Sequence, residues 1–119
     1  MIEIKRQTTL RDPDFVTGKK ENKPFKFNCD VCNSAITIDF DRQINNSWTG
    51  RTEKMNEEDV KGLRSFYGIG LSGKSHDGGF PIFDRVTCIK CGANFLTYCG
   101  VVEGSNSAYA VTVNGIIRK

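Results

Sequence analysis

The chain has 119 residues and a mass of 13.3 kDa, the size of one domain. Hydrophobic residues make up 38% and charged residues 26%, a balance that excludes disordered, collagenous and membrane-spanning classes. The net charge of +3 is too weak to single out nucleic acid as a partner.

No apolar run approaches the roughly 20 residues of a membrane span, and Ile2-Glu3-Ile4-Lys5 is polar where a secretory leader turns apolar. The expected location is therefore cytoplasmic. In a reducing compartment, five cysteines read as metal ligands or reactive thiols before they read as disulfides.

In chain order, Ile2–Lys5 alternates apolar and polar residues and predicts a strand. The densest basic stretch, Lys19 to Lys26, reads as a solvated loop. As a nucleic-acid grip it would combine Lys19, Lys20, Lys23 and Lys26 with Phe25 and Phe27. Ala35–Phe40 alternates again and predicts a second strand. Trp48, between polar neighbours, is either a binding anchor or a lid on a small core.

One short helix is expected after Asn56, which can cap it. Glu57, Glu58 and Asp59 suit its positive end, Val60, Leu63 and Tyr67 fall on one face, and Gly68 can end it. Gly62 inside it costs about 1 kcal/mol relative to Ala, so the helix has to lean on packing. The glycine-rich stretch Gly68–Pro81 predicts a long exposed loop. Phe95–Val102 reads as a strand buried on both faces. Asn114-Gly115, flanked by Ala108–Val113 and Gly115–Arg118, predicts a hairpin turn.

Two cysteine pairs carry the chemistry, Cys29-Asp30-Val31-Cys32 and Cys88-Ile89-Lys90-Cys91. A two-residue gap lets both sulfurs of a pair turn inward on one tight knuckle. Two knuckles supply four ligands at about 2.3 Å, the closed tetrahedron of a structural zinc site. Asn33 and Gly92 follow the pairs, and these residue types best tolerate the left-handed conformation a knuckle needs there. Cys29, Cys32, Cys88 and Cys91 are therefore the expected ligands of one Zn²⁺. A redox dithiol fits less well, because strands rather than helices are expected after both pairs.

The 55 residues between the knuckles exceed the roughly 15–20 of a minimal zinc ribbon. With two knuckles, a wide excursion and a strand-rich tail, the stretch from Phe25 to Arg118 resembles the β-tent zinc folds. These are the architecture of Yippee-type proteins and of B-type methionine-R-sulfoxide reductases; an ordinary zinc ribbon with an insertion is the alternative. The reductase comparison implies a nucleophilic cysteine on a late strand, and Asn106–Val111 holds none. The spare thiol is Cys99, which reads as a small buried hydrophobe.

Gly68-Ile69-Gly70-Leu71-Ser72-Gly73-Lys74-Ser75 satisfies the phosphate-loop pattern, but that motif needs a strand before it and a helix after it. A helix is expected before it, and His76-Asp77-Gly78-Gly79-Phe80-Pro81 cannot begin one. His76 itself reads as a surface loop residue.

The sequence thus predicts a single mostly-β, small α+β domain over 1–119. An N-terminal strand and polar loop (1–24) precede a zinc-knuckle core of antiparallel sheets (25–118). That core carries one short helix and the glycine loop in an insertion, 41–81. A closed zinc site does no chemistry, so the expected function is non-enzymatic recognition of a protein partner; an inhibitor or immunity-type protein is one version. The candidate contact residues are Trp48, Glu57, Glu58 and Lys74. The alternatives are a nucleic-acid-binding zinc ribbon and a thiol oxidoreductase using Cys99.

Overall fold

The fold, taken from a computed structural model, is described for residues 2–6, 13–18, 24–46, 49–52, 54–70, 74–75, 79–103 and 108–119. Among the described residues, seven strands and two helices follow one another: β1 (Ile2–Arg6), β2 (Phe15–Val16), β3 (Lys26–Asn28), β4 (Ala35–Thr37), α1 (Phe40–Asn45), α2 (Glu57–Tyr67), β5 (Phe80–Thr87), β6 (Asn94–Glu103) and β7 (Tyr109–Arg118). All strand pairs are antiparallel, so the fold is mostly β with small α+β character, as the sequence predicts. The large sheet runs β1-β7-β6-β5, with β2 also paired to β7; β3 and β4 form a separate two-stranded sheet.

Alternation along the long strands sorts the core onto two faces. Ile82, Phe95, Cys99 and Val113 face the β3–β4 hairpin and α1, where Phe27, Ile36, Ile38 and Phe40 meet them. Phe83, Leu96, Tyr98 and Ile117 face α2, where Leu63 and Tyr67 close the second cluster. The large sheet is therefore covered on both sides, which explains the nearly unbroken apolar run of β6.

The expected helix forms where its signals lie. The Asn56 side chain accepts the Asp59 N–H at 2.7 Å, and Gly68 ends the helix at φ +69°. A second helix, α1, stands where the sequence predicts the end of a strand. The predicted strand Ala35–Phe40 stops at Thr37 because Asp39 caps a new helix, its carboxylate accepting the Arg42 N–H at 3.2 Å. Phe40 then packs into the core as a helical residue, stacked on Phe15.

The Asn114-Gly115 turn does not exist. β7 runs straight through it, with Val113 opposite Cys99 and Gly115 opposite Tyr98. Asn114 is the extra residue of a β-bulge, and Gly115 serves close approach rather than a turn. A Cβ there would lie 2.1 Å from the Tyr67 hydroxyl oxygen, so the glycine lets α2 settle on the sheet.

The glycine loop also departs from full exposure. Ser75 is buried, its N–H donating to the Gly79 carbonyl at 3.0 Å, and Gly79 lies tight against Val101. Positions 71–73 and 76–78 lie outside the described residues.

Candidate metal centre

Each cysteine pair sits at the tip of a hairpin, one between β3 and β4, the other between β5 and β6. The two knuckles are built alike. The Cys29 carbonyl accepts the Asn33 N–H and the Cys88 carbonyl accepts the Gly92 N–H, both at 2.8 Å. The Cys29 N–H donates to Ser34 and the Cys88 N–H to Ala93, again at 2.8 Å. Asn33 at φ +64° and Gly92 at φ +79° are the left-handed residues that turn each chain back into its strand.

The hairpins bring all four sulfurs together. Cys29 and Cys91 are 3.5 Å apart, as are Cys32 and Cys88, and the four ligand atoms all lie within 4.8 Å of one another. A tetrahedron with metal–sulfur bonds of about 2.3 Å has edges of about 3.8 Å, so the cluster has the size of a four-thiolate metal site. Cys29 and Cys88 are buried while Cys32 and Cys91 are exposed, which opens one side of the site to an arriving ion.

The electrostatics of the donors favour a cation. The Ser34 hydroxyl and amide draw the Cys32 thiol down to about 6. The Ala93 amide also pulls on Cys91, but burial and the three neighbouring sulfurs outweigh it and push this thiol up to about 12. Four sulfurs this close cannot all ionise without a positive charge among them. With all four thiolates engaged, a tetrahedral ion would have no open position.

Residues distant in sequence steady the site. Arg118, at the end of β7, donates from Nε to Asp30 at 2.7 Å and ties the first knuckle to the large sheet. The sequence carries no signal for this pair, whose members are 88 residues apart.

The other candidates do not join the centre. Glu57 and Glu58 are exposed in the first turn of α2, and Lys74 is exposed ahead of β5, with no shared contact among the described residues. Trp48 and His76 lie outside the described residues, as do Lys19, Lys20 and Lys23. After Ser75 the chain enters β5 with no described helix between, so the phosphate-loop pattern lacks its architecture.

Cys99 is fully enclosed between Ile82 and Val113. Phe27 is buried edge-to-face on Phe95, and Phe25 is half-buried beneath the Lys5 ammonium, so neither ring is a free stacking platform. No helix is long and apolar enough to cross a membrane among the described residues. Comparison with family models, curated proteins and solved structures finds no match to this chain.

Proposed function

We propose that the chain is a non-enzymatic recognition module, held by one structural zinc ion and acting by binding a protein partner in the cytoplasm. The observation that carries the metal half is the tetrahedron-sized cluster of Cys29, Cys32, Cys88 and Cys91. Four thiolates suit zinc, which has no redox chemistry and accepts this geometry without strain. Two knuckled hairpins joined across a wide excursion also support the likeness to the β-tent architecture.

The partner half follows from the metal half. A closed centre leaves function to the surface, and charged excursions on a rigid frame are where recognition sits. The excursion 41–81 presents Glu57, Glu58 and Lys74. Its mixture of acids with Lys61 and Arg64 suits specific protein contacts better than a polyanion.

Elemental analysis of protein purified without added metal tests the first half, with about one zinc per chain expected. Iron in its place, or two disulfides, refutes it. For the second half, crosslinked capture from the native cell should retrieve a protein. Reversing Glu57 and Glu58 to Lys should weaken that capture at unchanged zinc content.

A further inference from the structure

β5 is the last strand of the large sheet, and its outer edge is only partly covered. The Phe83 N–H donates to Gly50 and its carbonyl accepts the Thr52 N–H, both at 3.0 Å, so residues 50–52 run along this edge as a short parallel partner. The chain then turns away, with the Met55 N–H on the Thr52 carbonyl at 3.1 Å. Successive residues of a strand direct their main-chain groups to opposite edges. Arg85 and Thr87 therefore face outward as Phe83 does, while Asp84 and Val86 face β6.

The Asp84 carboxylate takes the Arg85 N–H at 2.8 Å. The Arg85 carbonyl and both main-chain groups of Thr87 have no outward partner among the described residues. β4 repeats the situation. Ser34 and Ile38 bond back across the hairpin to Cys29 and Phe25, which leaves the main-chain groups of Ala35 and Thr37 on the side away from β3.

These two unpaired edges border one cleft of about 370 Å³, lined by Ala35 and Thr37 on one wall and by Arg85 and Thr87 on the other. We propose that this cleft receives an extended, acidic peptide segment of the protein partner, paired main chain to main chain as an added strand. The proposal rests on the recognition-module reading and gives it a location within reach of the excursion, which contributes Lys54 to the lining.

Charge selects the occupant. Both acids of the cleft are already engaged: Asp39 caps α1, and Asp84 accepts from the Thr52 hydroxyl and the Arg85 N–H, with Arg42 Nε at 3.7 Å. The Lys54 and Arg85 side chains, in contrast, have no ion-pair partner among the described residues. An incoming strand thus meets main-chain donors and acceptors in a lining whose cations, Arg42, Lys54 and Arg85, outnumber its acids, Asp39 and Asp84. Ile89, 97% exposed at the mouth of the cleft, offers an apolar contact. A strand alternating acidic with β-branched residues satisfies all three features, because its side chains alternate faces with a period of two. Edge charges of this kind also discourage self-pairing of the sheet.

The probe is a capped synthetic peptide of roughly seven residues, about the length of an average strand, alternating valine or threonine with glutamate. Titrated into zinc-loaded, ¹⁵N-labelled protein, it should shift the amides of Ala35, Thr37, Arg85 and Thr87 and slow hydrogen exchange at Thr87. N-methylation of alternate peptide amides, replacement of its glutamates by lysine, or Lys54→Glu with Arg85→Glu in the protein should each weaken binding about tenfold or more. Thr87→Pro should do the same, with zinc content and thermal melting reporting that it folds.

The proposal is overturned by no binding, by binding indifferent to N-methylation, or by an oligothymidylate that occupies the same cleft more tightly than the peptide. Capture of the natural partner that is unchanged in Lys54→Glu with Arg85→Glu also overturns it, and leaves the module reading standing. Absence of any captured protein, with the peptide bound as expected, counts against the module reading alone.

Discussion

Single residues fix the knuckles and the approach of α2. Asn33 and Gly92 hold equivalent left-handed positions, so Asn33→Ala should cost about 1 kcal/mol while Asn33→Gly should be close to neutral. Urea midpoints of the zinc-loaded variants check this. Gly115→Ala is more severe, because its Cβ would collide with the ring and hydroxyl of Tyr67. We expect a loss of about 1–3 kcal/mol, the usual cost of overpacking, read from the same denaturation curves.

The thiols set the pH response. A cluster whose Cys91 stands near 12 without metal is protonated there at neutral pH, so metal uptake has to expel that proton. Affinity therefore rises with pH, and acid strips the ion. Calorimetry in two buffers of different ionisation enthalpy should register the released protons.

At the scale of elements, capping decides where helices stand. Asn56→Ala should remove about 1 kcal/mol by freeing the Asp59 N–H, visible as a lower thermal midpoint. The boundaries of α2 were legible because every signal for it is local: cap, acidic first turn, apolar stripe and terminal glycine. α1 was hidden because Ala35 to Phe40 alternates like a strand, and the Asp39 cap together with the burial of Phe40 and Gln43 against the large sheet makes a helix the better solution.

The same contrast holds for β7. Asn-Gly is a turn signal in an isolated hairpin, yet pairing to β6 and β1 on its two edges keeps the strand continuous through the bulge, and Tyr67 takes up the space that Gly115 leaves.

Across the whole molecule, the cysteine cluster joins two sheets that share a core. β3 and β4 pair over three residues each, too few to stand alone in water. The cysteine cluster links their hairpin to β5–β6, while Phe27 and Ile36 pack on the large sheet. Chelation should therefore strip hydrogen-exchange protection from β3–β4 before β6 and β7. It should also lower the thermal midpoint by about 10 °C or more, given that structural zinc contributes several kcal/mol or more to folding. Arg118→Ala, which removes an exposed ion pair, should matter far less, by under about 1 kcal/mol.

The sequence by itself determined the two cysteine pairs, the knuckle conformations, α2 and the mostly-β class. Each of these depends on contacts within a few residues or on a residue type with one conformational use. Tertiary structure alone decided that β7 is unbroken, that Arg118 reaches Asp30 and that two strand edges are left open beside Lys54 and Arg85. Those outcomes depend on which surfaces cover one another. Such burial is a property of the assembled chain, and no local pattern encodes it.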